Sequence, residues 1–282
     1  MIIKAGFLIS YDYEYLKIAL PLIYSCDDIS EIYLAIDQNF KTWNGEDFTI
    51  PDSFFQWIKD FDSKKKITIY RDNFYVSELS TIDCDTRERR MLSERMGKCD
   101  WYIQIDSDEY IIDIQNFVNK LKQISKEMPG KELSVAGKIV MLFKENGDEL
   151  YVVNPIKELI WLATNAPAYQ YARANLEQEL VKTDTLVVHQ SWARSEAEIS
   201  QKIRNWGHMK DFDVNQFYEN WRVLDKTNYK NWKNFHPLTP NEWQSVSRIK
   251  GYQIKEFNKL SEFQMKTVVK YPFLSGFMKL LG

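Results

Sequence analysis

Four short apolar runs in the first 110 residues each give way to acidic residues, and this rhythm constrains the fold more than any other feature. Residues 7–9 lead into Asp12, 32–36 end at Asp37, 67–70 end near Asp72, and 101–105 end at Asp106-Ser107-Asp108-Glu109. Helical patterns separate them. Leu16, Leu20 and Ile23 fall at i, i+4 and i+7, with Pro21 expected to kink or shorten the helix. A second helix carries residues 86–92 and closes at Gly97, a good residue just past a helix end. Alternating strand and helix with largely apolar strands predicts an α/β protein, doubly wound, with a mostly parallel central sheet and helices on both faces. Ligands of such sheets sit beyond the carboxyl ends of the strands, where Asp12, Asp37, Asp72, Asp106 and Asp108 are all expected.

The remainder reads as an acceptor-side half (111–211) and a helical, aromatic and basic extension (212–282), after a first half at 1–110. An amphipathic helix carries Ile114, Phe117, Val118, Leu121 and Ile124 and stops at Pro129-Gly130. Asn146-Gly147 between two apolar runs predicts a hairpin. Residues 155–181 show only a weak pattern, read as loops and short strands around a substrate. A short buried strand at 186–188 ends at His189, and Ser195 with Glu198 forms a capping box opening a further helix. The tail from 247 to 282 is basic, and its apolar stripe of Phe273, Phe277 and Leu281 suits either a docked helix or peripheral contact with an anionic membrane.

Asp106 and Asp108 carry the sharpest chemistry. Alternate residues of an extended chain point to one side, so both carboxylates can face one site. Crowded carboxylates repel unless a cation lies between them, and oxygen ligation with water suits Mg²⁺ or Mn²⁺ bridging to phosphate. A net charge of −3 argues against nucleic acid as partner. Cys26, Cys84 and Cys99 are odd in number and lack metal-type spacing, which predicts a reducing compartment and no disulfide framework. No run approaches the about 18–20 apolar residues of a membrane span, so a cytoplasmic protein is expected, at most resting on the inner face of the plasma membrane.

The stretch Tyr102-Ile103-Gln104-Ile105-Asp106-Ser107-Asp108-Glu109 resembles the Asp-x-Asp strand end of family 2 glycosyltransferases with the GT-A fold. The resemblance extends to the first strand end (Ser10-Tyr11-Asp12-Tyr13-Glu14), to Ile36-Asp37 and to the arginine-bearing helix closed by Gly97; it covers roughly residues 3–110. It implies that Asp12 and Asp37 contact the nucleotide of a nucleotide-sugar donor. It implies that Asp108 ligates the metal and that Asp106 approaches the ribose, or the metal through water. The family's Arg-Asn pair is here Arg89-Arg90, which leaves both arginines as nucleotide-binding candidates. The family's common second-strand ending is replaced here by Asp37-Gln38-Asn39-Phe40.

The resemblance further implies a late histidine completing the metal shell, with nearby cations neutralising the leaving diphosphate. His189 is the candidate ligand and His208 its rival; Arg194, Lys202 and Arg204 are the candidate cations. An inverting transfer needs a carboxylate base beside the acceptor hydroxyl. Glu158, Glu177, Glu179 and Asp184 are candidates, with Glu158 favoured because Ile156, Leu159, Ile160 and Trp161 can hold it near the core. The implied activity is metal-dependent transfer of a sugar to a glycan or lipid-linked hydroxyl, in surface polysaccharide synthesis. Two readings compete: a non-catalytic carbohydrate- or nucleotide-binding protein, and a sugar-phosphate nucleotidyltransferase. The second should carry a glycine-rich loop after the first strand, where Ser10-Tyr11-Asp12-Tyr13-Glu14 has no glycine.

Overall fold

The computed structural model describes residues 1–205 and 212–250. Strands β1 (Ile3–Ile9), β2 (Ile29–Asp37), β3 (Ile67–Asp72) and β4 (Trp101–Asp106) alternate with helices α1 (Leu16–Ser25), α2 (Asp52–Phe61) and α3 (Thr81–Met96). Then follow β5 (Glu109–Ile111), α4 (Ile114–Glu127), β6 (Leu133–Asn146), β7 (Glu149–Asn154), β8 (Leu159–Thr164) and β9 (Glu179–His189). Helices α5 (Glu196–Asn205) and α6 (Val214–Arg222) and strand β10 (Ser245–Lys250) complete the described chain.

The strands join in the order β10-β7-β6-β8-β4-β1-β2-β3. β3, β2, β1 and β4 are mutually parallel, so their carboxyl ends share one edge. β8 enters antiparallel to β4, β6 antiparallel to β8, and β9 parallel to β6. Two reversals restore direction, so β9 delivers His189 to the same edge as Asp106. The short β5 runs back against β9, pairing Glu109 with His189. This is an α/β layout with a parallel half from β3 to β4, as the sequence predicts, and antiparallel strands beyond β4.

Strand alternation sorts β1 onto two helix layers. Ile3, Ala5, Phe7 and Ile9 pack with Leu16, Leu20 and Ile23 of α1, Phe54 and Ile58 of α2, and Phe117, Val118 and Leu121 of α4. Leu8 turns to the other face, against Leu92 and Met96 of α3. Gly6 permits that approach: a Cβ there would stand 2.7 Å from Leu92 Cδ2. Each buried aliphatic side chain contributes roughly 1.5–3 kcal/mol.

The local signals map onto the structure closely. Gly97 follows α3 at φ 65, and the β6–β7 hairpin turns at Asn146-Gly147. Ser195 and Glu198 exchange their capping bonds, at 2.9 Å and 3.3 Å. Pro21 differs from expectation: it lies inside α1, which continues to Ser25. α2 and β5 had no counterpart in the sequence reading. The composition-defined extension holds α6 and then β10, which pairs with β7. Residues 251–282, with the basic tail, and 206–211, with His208, lie outside the described residues.

Candidate active site

The carboxyl edge of β1, β2 and β4 opens onto a cavity of about 220 Å³. Its lining includes Asp12 after β1, Asp37 at the end of β2, Asp106, Ser107 and Asp108 at the tip of β4, and His189 at the end of β9. Lys202 and Asn205 reach it from α5, Asp85 and Glu88 from α3, and Trp43 from the loop after β2. Asp72 does not line it; its carboxylate accepts from Tyr70 Oη at 2.7 Å and the Asn73 amide at 2.8 Å.

Asp108 is the electrostatic centre. It is 3% exposed, and Arg194 Nη2 donates to its Oδ2. His189 Nε2 stands 3.2 Å and Lys202 Nζ 3.9 Å from the same oxygen. Burial alone would raise the carboxyl pKa, but His189, Arg194 and Lys202 outweigh it and hold the group well below the ordinary range. Arg194 also reaches Asp12 Oδ2 at 3.0 Å and lies 4.7 Å from the Tyr15 ring centre. It is 5% exposed, and Nε and Nη1 have no hydrogen-bond partner among the described residues. Burial lowers the Lys202 pKa, as does the neighbouring Arg194. Ser107 Oγ donates to Asp12 Oδ1 at 3.0 Å and ties the β4 tip to the end of β1.

Asp106 belongs to a different network. Arg89 Nη2 binds its Oδ1 at 2.7 Å, and Arg173 Nη2 binds its Oδ2 at 3.2 Å. Arg89 Nε continues to Asp85 Oδ1 at 2.7 Å, and Arg173 Nη1 to Glu109 Oε2 at 2.7 Å. Five buried or half-buried charges therefore alternate in sign along one chain. Such a pairing fixes geometry more than it adds stability, because the desolvation of each ion offsets the Coulomb gain.

The predicted residues separate accordingly. Asp12, Asp108, His189, Arg194 and Lys202 come together. Asp37 faces the cavity, but its carboxylate holds the backbone: Oδ1 accepts from the amides of Asn39 and Lys41, Oδ2 from those of Phe74 and Tyr75. Arg89 is buried and aims at Asp106, whereas Arg90 is exposed and donates to the Tyr169 carbonyl at 2.5 Å. Arg204 is exposed and pairs with Glu46 at 3.0 Å. Glu158 accepts from Trp243 Nε1 at 3.1 Å; burial raises its carboxyl pKa, and His189 is near enough to oppose that shift. Asp184 lies five residues back along β9 from His189, paired with Lys120 of α4 at the surface. That placement removes it from the candidate site.

Arg173, Asp85, Glu88 and Trp43 were not anticipated. Asp85, Glu88 and Arg89 fall at i, i+3 and i+4, so a buried face of α3 bearing three charges was readable in principle. Arg173 lies in the patternless loop and carries no local signal.

The donor set suits a divalent cation at one point. Two ligands of an octahedral ion with bonds of about 2.1 Å stand about 3 Å apart, and Asp108 Oδ2 and His189 Nε2 are 3.2 Å apart. Among the described residues no group of three or more His, Cys, Asp or Glu side chains converges on a metal position. An ion held there would have Asp108 and His189 as its protein ligands and would draw its remaining ligands from water and substrate oxygens. Asp106, engaged by arginine on both oxygens, does not join them.

No family model matches the chain. No curated protein matches it either. Among solved structures it is similar to S. aureus TarS residues 1–349, at 12% identity over 51% of this chain and 36% of that one, TM-score 0.32. It is similar to the mannosyltransferase PcManGT from Pyrobaculum calidifontis in complex with GDP-Man and Mn²⁺, at 10% identity over 79% and 65%, TM-score 0.43. A third is 4-diphosphocytidyl-2C-methyl-D-erythritol synthase from Anaerococcus prevotii, at 16% identity over 80% and 84%, TM-score 0.29. The chain thus spans about a third of the TarS structure. No described helix is long and apolar enough to cross a membrane.

Proposed function

We propose that the chain is a glycosyltransferase that takes a sugar from a nucleotide-sugar donor and delivers it to a hydroxyl of a glycan or lipid-linked acceptor. The observation that carries this reading is the pairing of Asp108 and His189 with two buried cations, Arg194 and Lys202, at the carboxyl edge of the parallel strands. Breaking a sugar–phosphate bond leaves a nucleoside diphosphate with growing negative charge. Preorganised cations in a dry cleft stabilise that charge without reorganisation. Arg194 offers two nitrogens, Nε and Nη1, without a hydrogen-bond partner among the described residues, and Lys202 lines the cavity. A divalent ion held by Asp108 and His189 would supply Lewis-acid stabilisation of the same diphosphate.

For an inverting transfer, Glu158 is our candidate base. Burial raises its carboxyl pKa, which strengthens it as a proton acceptor. Surface polysaccharide synthesis at the inner face of the plasma membrane is the setting we propose. The nucleotidyltransferase reading has no glycine-rich loop after β1 to support it.

The test is a panel of nucleotide sugars incubated with Mn²⁺ and glycan acceptors, read by release of nucleoside diphosphate. Release with at least one donor, abolished in Asp108→Asn, supports the proposal. Nucleotide binding without release across the panel supports a non-catalytic binding protein instead.

A further inference from the structure

Two aromatic residues line the cavity from separate segments, and neither has a task in the proposed transfer. Trp43 comes from the loop after β2, and Tyr171 from the long connection between β8 and β9. Trp43 Nε1 donates to Glu88 Oε2 at 2.6 Å, which fixes the indole against α3. Either protonation state of Glu88 keeps an oxygen to accept that bond. Tyr171 is 46% exposed, yet the turn that carries it is pinned at several points. The Ala172 amide donates to Thr86 Oγ1 at 2.8 Å, and Arg90 holds the Tyr169 carbonyl. Arg173 Nη1 donates to the Gln104 carbonyl at 3.2 Å, beside its pairs with Asp106 and Glu109. The Ala174 amide closes the turn on the Tyr171 carbonyl at 2.8 Å. Ala172 at its tip has φ 46, in the left-handed region that residues other than glycine rarely adopt. So much fixed structure under an exposed ring at a cavity positions that ring for a ligand.

Helix geometry sets the two rings on opposite flanks. Ile82, Asp85 and Glu88 of α3 line the cavity. At about 100° per residue, Ile82 and Glu88 lie about 60° to either side of Asp85. Trp43 is tied at Glu88, on one flank. Thr86, which anchors the Tyr171 turn, lies about 100° round from Asp85 on the Ile82 side. The two rings therefore approach one helix face from opposite sides and leave a slot between them.

A slot with an aromatic wall on each side suits a ligand that is flat on both faces. A nucleobase is flat on both; a pyranose ring is puckered and offers aromatic surface one apolar face. Resting on the glycosyltransferase reading above, we infer that the base of the donor nucleotide stacks between Trp43 and Tyr171. The base is then held by its faces, through two residues that touch neither the diphosphate nor the metal position. Stacking of a base on one aromatic side chain is worth about five- to 150-fold in affinity when that side chain is replaced by alanine.

Calorimetric titration of the full chain with GDP, ADP, UDP and CDP in excess Mn²⁺ tests this, with inorganic pyrophosphate as the base-free control. Tyr171→Ala should weaken the tightest-binding of the four by about five- to 150-fold and leave pyrophosphate affinity unchanged, which also shows that the variant is folded. Tyr171→Phe keeps the ring and should bind like the wild type. Trp43→Leu removes the other wall and should cost a factor in the same range, again without effect on pyrophosphate. Unchanged nucleotide affinity in Tyr171→Ala or Trp43→Leu, an equal loss for pyrophosphate, or a loss in Tyr171→Phe as large as in Tyr171→Ala overturns the stacked base while leaving the glycosyltransferase reading in place. Binding of none of the four nucleotides to the wild type overturns both.

Discussion

Asp108 and Glu88 are equally buried carboxyl groups in one cleft, at 3% and 5% exposure, yet their acidities move in opposite directions. Asp108 is held well below the ordinary range and Glu88 is pushed up to about 8. Burial raises both. Arg194, Lys202 and His189 surround Asp108, whereas Glu88 meets one arginine, two acids and an indole N–H. Neighbouring charge, and not depth, therefore divides the cleft into an end that keeps its carboxylate ionised and an end whose carboxyl holds its proton up to about pH 8.

The largest expected effect comes from removing the charge at the first end. Asp108→Asn strands Arg194 and Lys202 in a buried site. Breaking a buried ion pair costs about 3–5 kcal/mol, to be read by denaturant unfolding, and turnover should fall below detection. A variant of wild-type stability and rate would break the contrast.

At the second end the effect depends on pH. The native protein binds the Glu88 proton more tightly than the unfolded chain, whose carboxyl has the ordinary value of 4.5. Stability from this group is complete below pH 4.5 and is lost as pH rises through about 8. Glu88→Gln removes that loss. It should raise stability relative to wild type by a few kcal/mol at pH 9, with little change at pH 4, in paired thermal or denaturant unfolding curves. A pH-independent difference would place Glu88 in the same class as Asp108.

Smaller effects sharpen the boundary. His189→Gln should weaken Mn²⁺ binding about ten- to a hundredfold, measured by titration in the presence of a nucleoside diphosphate, with the melting temperature nearly unchanged. Asp184→Asn should do least, shifting stability by under about 1 kcal/mol and leaving turnover unchanged. A large loss of rate there would return Asp184 to the site.

The two ends also differ in how far the sequence reveals them. The cation end is legible because strand tips carry a local mark: an apolar run, then Asp106-Ser107-Asp108, or a short run, then His189. The β6–β7 hairpin and the caps of α3 and α5 are legible for the same reason. Their residues lie within a few positions of one another. The other end assembles Trp43, Ile82 and Glu88 across about two turns of helix and a distant loop, and no spacing announces that. Arg173 is fixed by Asp106 and Glu109, more than 60 residues earlier, through contacts that exist only once the sheet is closed. Asp37 is a reverse case. Its strand-end position was readable, but its engagement with four backbone amides was not.

The central claim is that the β4 tip grips a nucleoside diphosphate through a shared divalent cation. Its most direct test is nucleoside diphosphate affinity measured in Mn²⁺ and again in excess chelator, on the wild type and on Asp108→Asn. The account predicts at least about tenfold tighter binding with Mn²⁺ in the wild type and no such gain in the variant. Equal affinity in all four measurements would contradict it.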